Sequence, residues 1–232
     1  MSRLNLLSEQ PPIVATVTVD NKKVAFVSLM LEQEIGKHHH FDVTLDYDVM
    51  NGHFLSNPEE QIRLIGKPLH IELQQGMEEN YLFKGVITHT INEGCEGKHG
   101  YLILKGSSPT VLLERGKRWD VFDNMTLKEV CEEVCDGHQN QHKLLKLSSQ
   151  PAYKSKIPFL MQYGESDWQF LQRLSALSKE NLFYTGTELV FGESKELPAT
   201  KDIDISAPNG TLKLSSNDEL TLKSGTEVIV AQ

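Results

Sequence analysis

The chain has 232 residues, 39% of them hydrophobic, which is enough apolar surface for one large domain or two smaller ones. Its formal net charge of -9 argues against a nucleic-acid partner, because phosphate binding needs a cationic face. No apolar run approaches the ~20 residues of a membrane-spanning helix, so stable membrane anchoring is not expected. Residues 1–10 lack a continuous apolar core and a small-residue cleavage pattern, so no secretory leader is expected there. Three cysteines, Cys95, Cys131 and Cys135, are too few and too uneven for a disulfide framework. Free buried thiols and a reducing compartment are the expectation.

Residues 12–106 read as consecutive strands. Ile13–Val19 ends at the turn pair Asp20-Asn21, and Val24–Leu29 reads as the next strand. Phe41–Tyr47 alternates apolar and polar residues, the pattern of a strand with one buried face. Leu69–Leu73, Leu82–Ile87 and Tyr101–Leu104 follow, and residues 58–65 read as a short helix or irregular crossover. Closely spaced strands of this kind suggest a small barrel or sandwich. Before Phe41 stand His38, His39 and His40. Histidine-rich tracts can bind metal, but alternation puts His38 and His40 on one face and His39 on the other, so a half-exposed strand start is the preferred reading.

From residue 108 the pattern changes. Trp119 lies near Arg115, Lys117 and Arg118, a candidate binding patch that reads more simply as a charged loop around one buried aromatic. Thr126 and Glu129 form a capping box opening a helix with Leu127, Val130, Cys131 and Val134 inward, and Gly137 is its expected end. Phe159–Tyr163 reads as a strand. Ser166 and Gln169 make a second capping box, opening a helix with Trp168, Leu171, Leu174 and Leu177 near one face and Phe170 beside them. Glu165 and Asp167 flank that start, where carboxylates favour the positive helix end. Leu182–Tyr184, the turn at Thr185-Gly186 and Leu189–Phe191 read as a hairpin.

The last thirty or so residues carry a short repeat. Ile203 and Ile205, Leu212 and Leu214, Leu220 and Leu222, and Val228 and Val230 are apolar pairs separated by turn residues. Such a strip has one apolar face and too little chain to cover it, so it is expected to close against copies of itself, as a trimeric β-prism. The fold class expected is therefore mainly β with minor α. It divides into a barrel over residues 1–107, an α+β segment over 108–197 and a β-repeat strip over 198–232.

Cys131, Cys135, His138 and His142 hold two thiols and two imidazoles within twelve residues, the ligand types of zinc. The long loop that usually separates ligand pairs is missing, and cysteines one helical turn apart suit a helix core equally, so core cysteines are the preferred reading. No Gly-x-Ser-x-Gly elbow, P-loop, dinucleotide fingerprint or His-Glu-x-x-His appears, and no enzyme or cofactor is expected.

The segment from Ile157 through Gln162, Tyr163, Glu165, Ser166 and Asp167 to Arg173 and Leu174, followed by the aromatic hairpin to Gly192, resembles the hub region of VgrG proteins. Phe83–Thr88 and Gly106–Leu113 also fit that family's first barrel and the strand leaving it. The wording is most similar to VgrG-like proteins of type VI secretion systems in Bacteroidetes, over residues 12–195. The resemblance implies a phage-tail-hub-like small β-barrel with an α+β segment, a homotrimer and a mechanical rather than catalytic role. Its implied partners are an Hcp-like tube protein, a PAAR-type tip protein, baseplate components and effector proteins. It further implies cytoplasmic assembly and export through the injection apparatus. This chain departs from the family between Gly192 and the repeats, where no clear room remains for the rest of the hub or an oligosaccharide-binding-fold barrel. The alternatives are a hub subunit of a phage tail or extracellular contractile particle, and a stand-alone zinc- or carbohydrate-binding β module.

Overall fold

The computed structural model describes residues 13–46, 58–75, 80–94, 100–142, 144–193, 221–224 and 227–230. Its first part is a seven-stranded antiparallel sheet: β1 (Ile13–Val19), β2 (Lys22–Val24), β3 (Ser28–Glu32), β4 (His40–Asp46), β5 (Pro68–Gln75), β6 (Tyr81–Gly94) and β7 (Gly100–Ser107). The order across the sheet is β2-β1-β5-β6-β7-β4-β3. A short helix, α1 (Pro58–Arg63), precedes β5.

The expected single strand Val24–Leu29 is split. Val24 ends β2, which pairs with β1, while Ser28 begins β3, which pairs with β4 at the opposite edge. Residues 25–27 therefore carry the chain from one edge of the sheet to the other. Four peptide units reach at most ~14 Å, whereas seven flat strands are ~29 Å across. The sheet must curl for its edges to come this close, and the result is a partial barrel. Its inward positions follow the alternation of the strands: Val17, Val19, Phe41, Val43, Leu45, Leu69, Ile71, Phe83, Leu102 and Leu104 are all buried.

The chain leaves β7 through Ser108 into a 3-10 helix, Pro109–Glu114. Then come β8 (Arg118–Met125), α2 (Leu127–His142), β9 (Leu147–Gln150), β10 (Ile157–Glu165), α3 (Asp167–Ser178), β11 (Leu182–Tyr184) and β12 (Leu189–Gly192). β8 and β10 pair as a two-stranded antiparallel sheet, and β11-β12-β9 form a second small sheet with β9 parallel to β12. Both capping boxes are formed. The Thr126 N–H donates to Glu129 Oε2 at 2.7 Å, and the Glu129 N–H to Thr126 Oγ1 at 3.2 Å. The Ser166 N–H donates to Gln169 Oε1 and the Gln169 N–H to Ser166 Oγ, both at 3.1 Å.

Three expectations are corrected here. α2 does not stop at Gly137 but runs to His142; an interior glycine costs a helix only about 1 kcal/mol against alanine, which does not end it. Leu177 is 71% exposed although Trp168, Leu171 and Leu174 are buried. Three-residue spacing falls about 60° short of a full turn at each step, so by the last turn the stripe has drifted off the buried arc. Strand β8 replaces what reads as a charged loop around Trp119.

The last described elements are β13 (Thr221–Ser224) and β14 (Glu227–Val230), an antiparallel pair. Ser224 pairs with Glu227, so a two-residue connection sets Leu222 opposite Ile229 and Lys223 opposite Val228. Ile203, Ile205, Leu212, Leu214 and Leu220 lie outside the described residues.

Candidate interaction surface

The β8–β10 sheet has two faces of different character. On its inner face Phe122 and Gln162 are buried, and Phe122 stacks on Phe170 of α3 with ring centroids 5.4 Å apart. The outer face alternates with it. Trp119 and Val121 from β8 and Phe159, Met161 and Tyr163 from β10 are all exposed, Trp119 by 63% and Tyr163 by 66%. The register sets Tyr163 opposite Trp119 and Met161 opposite Val121, so they make one apolar stripe; Asp123 interrupts it opposite Phe159. Trp119 is thus not the buried aromatic expected. A residue two places from Val121 on a paired strand shares Val121's face, and that face is uncovered.

The stripe is held rigidly from behind. Gly164, at φ 63, forms the register shift between Tyr163 and Glu165, and a Cβ there would meet Trp119 Cζ2 at 3.2 Å. The Trp119 and Tyr163 rings meet edge to face, centroids 4.1 Å apart and planes at 68°. Glu165 and Asp167, placed by the sequence at the α3 start, each have partners. Arg173 clasps Glu165 through both Nε and Nη2 and donates from Nη2 to the Met161 carbonyl at 2.7 Å. The buried Asp167 takes the Gln162 amide at 2.8 Å and an Arg118 guanidinium at 3.3 Å. These links tie α3 to both strands of the two-stranded sheet.

The histidine run lies at the seam between the curled sheet and the rest. His38 Nδ1 lies 2.8 Å from Thr110 Oγ1, and its ring stands 4.6 Å from Trp168. His40 Nδ1 lies 3.0 Å from Ser107 Oγ. His39 is buried beside Phe83 and Tyr184, with its Nδ1 3.0 Å from Gln33 Nε2. Burial holds the His39 imidazole down at about 4, against the opposing effect of a hydrogen bond to the Glu34 backbone. Burial also lowers His38, partly offset by Glu114. As expected of a strand start, His39 faces opposite to its neighbours, but it is the buried one, and its neighbours are engaged by Ser107 and Thr110. Beside this seam an open cleft of about 470 Å³ is lined by Glu32, Glu34, Lys37, Glu114 and Gln172 among others.

Cys131 and Cys135 lie on the buried side of α2 in the core cluster. Burial pushes the Cys131 thiol up to about 12 and Cys135 well above its ordinary value. The side chains of His138 and His142 lie outside the described residues. Among the described residues no group of three or more potential ligands converges.

Solved structures share this arrangement. The 43 kDa tail protein of prophage MuSo2 from Shewanella oneidensis matches with a TM-score of 0.61 at 15% identity, over 79% of this chain and 54% of that one. A tail protein from Neisseria meningitidis MC58 matches with a TM-score of 0.58 at 15% identity, over 78% of this chain and 50% of that one. The Francisella PdpA-VgrG complex in its half-lidded state matches with a TM-score of 0.51 at 11% identity, over 79% of this chain and 32% of that one. The chain spans about half the length of the first two. No curated protein matches it. A curled antiparallel sheet carrying a small α+β unit is thus the fold of tail-hub proteins, mainly β with minor α. Residues 26–220 match the model of the phage tail baseplate hub (GPD) family, and the chain belongs to that family.

Proposed function

We propose that this chain is a structural subunit of the hub and spike of a contractile injection machine of the type VI secretion kind, working as a homotrimer. The match to the tail-hub family over residues 26–220 carries this reading. An uncovered apolar stripe on a braced two-stranded sheet suits a part that works by being assembled. In this reading residues 1–107 are the hub barrel, 108–197 its α+β segment and 198–232 the strip that begins the needle. The partners are the tube below, a tip protein above, baseplate components and carried effectors, met after assembly in the cytoplasm and travelling out with the spike. The role is mechanical, with no catalytic group and no cofactor.

In the repeat strip, Ile203, Ile205, Leu212, Leu214, Leu220, Leu222, Val228 and Val230 are the positions at which three copies meet. Light scattering should give three times the 26.2 kDa chain mass. Leu214→Asp should disturb the strip and Lys213→Asp should not. A monomeric mass, or equal behaviour of the two variants and of a chain ending at Thr200, overturns this account of the strip.

A second reading is a hub subunit of a phage tail. It is favoured by the tail proteins from Shewanella oneidensis and Neisseria meningitidis, which superpose better than the VgrG complex does. Co-purification with an Hcp-like tube protein, against a phage-type tube protein, separates the two.

A further inference from the structure

The stripe of Trp119, Val121, Phe159, Met161 and Tyr163 offers on the order of 500 Å² of apolar surface, judged from the size of such side chains. That is the size of the largest apolar patch on a typical lone chain, which is often functional, and less than the ~800 Å² per partner of a standard interface. An interface centred on it therefore needs a polar rim around the apolar centre. The rim is cationic: Lys117 is exposed just before β8, and Lys154 and Lys156 are exposed just before β10, at the other end of the antiparallel pair. These ammonium groups stand on a chain with 23 basic and 32 acidic residues, so acidic side chains outnumber basic ones elsewhere.

One described feature of the same chain has the complementary character. The cleft beside α3 gathers the carboxylates of Glu32, Glu34 and Glu114; Lys37 pairs with Glu34 at 2.6 Å and His38 Nε2 lies 3.5 Å from Glu114, so the cleft stays acidic chiefly through Glu32 and Glu114. Ile35, in the turn between Glu34 and Lys37, is 83% exposed and gives this acidic region an apolar tip. Sugar stacking fits the stripe poorly, because the Trp119 and Tyr163 planes stand 68° apart and form no flat platform.

We propose that the β8–β10 stripe of one copy docks on the acidic cleft beside α3 of a second copy of this chain. The contact is head to tail, and a rotation of one third of a turn per copy closes it into a ring of three. It rests on the trimeric reading above and assigns that trimer a contact outside the repeat strip.

Sedimentation of the full chain over micromolar concentrations tests it. Wild type should be trimeric, and Trp119→Ser with Tyr163→Ser should weaken association about tenfold or more, as loss of central aromatic anchors does. Lys117→Glu and Glu32→Lys should each weaken it, and their combination should recover most of the loss, as a charge swap across a contact does. Unchanged near-ultraviolet dichroism in each variant shows that the fold is kept, and the charge reversals sit at the surface where the fold tolerates them. A trimeric wild type with an equally tight Trp119→Ser, Tyr163→Ser variant overturns the stripe and leaves the trimer standing. Weakening without charge-swap recovery overturns the cleft as the receiving face. A dimer closed stripe to stripe overturns the head-to-tail contact, and a monomeric wild type overturns both this contact and the trimer.

Discussion

The ring of Phe41 occupies the space in which Gly106 would carry a side chain. The two residues are cross-strand partners on β4 and β7, and a Cβ on Gly106 would overlap both Phe41 and the Val86 carbonyl. Gly85 is in the same position under the same ring. The interior of the curled sheet is thus one phenylalanine lying across two glycines, with Phe83 edge-on to it at 6.1 Å. Gly106→Ala should cost about 3 kcal/mol of unfolding free energy, because a backbone carbonyl cannot move aside as a flexible side chain can. Gly116→Ala, where φ is 74 but nothing lies near the missing side chain, should cost only about 1 kcal/mol. Urea unfolding of the two variants checks the difference, and equal losses would show that the Phe41 packing is misassigned.

The helix starts give a second expectation. Thr126→Ala and Ser166→Ala each remove a hydroxyl that accepts from a free amide, and each should lower stability by about 1 kcal/mol. Thr126→Ser and Ser166→Thr should retain most of it. Thermal melts in which the alanine and the conservative variants coincide would contradict the caps.

Acid should weaken the seam. Unfolded His39 binds a proton near 6.5, but the buried ring binds one only near about 4. Between these values the unfolded chain binds more protons, so stability is full above pH 6.5 and declines as pH falls toward 4. The loss attributable to His39 is at most about 3 kcal/mol. His38 and His70, also lowered by burial, add slope of the same sign. His39→Asn should flatten the pH dependence of the urea midpoint across this interval; an unchanged slope would refute the assignment to His39.

The cysteines should be silent in the folded chain. With both thiols buried and their pKa values raised, Cys131 and Cys135 should resist a thiol-specific reagent at pH 8 until denaturant is added. Metal analysis after purification without added metal should find substoichiometric zinc. Rapid labelling of Cys131 in native protein, or stoichiometric zinc lost on Cys131→Ser, would reverse the core reading.

The amino-acid sequence alone specified those features whose determinants are local. Alternation in Phe41–Asp46 gave β4 its buried face, Ser166 with Gln169 placed the start of α3, and Thr185-Gly186 marked the turn between β11 and β12. The order of the 157–174 segment was also enough to suggest the tail-hub class. Tertiary structure decided what depends on partners far along the chain. Val24–Leu29 is uniformly strand-like, and only the meeting of two sheet edges breaks it between β2 and β3. β8 mixes charged and apolar residues on both faces, so its strand exists because β10 pairs with it. Trp119 reads as core by its chemistry, since a large aromatic is usually covered. Its exposure follows from which face of a two-stranded sheet Phe122 presents to Phe170, a choice made by α3 some fifty residues away. Turns and helix caps act over a few residues and leave a local trace, whereas the side of a strand that finds a neighbour is settled only when the rest of the chain has packed.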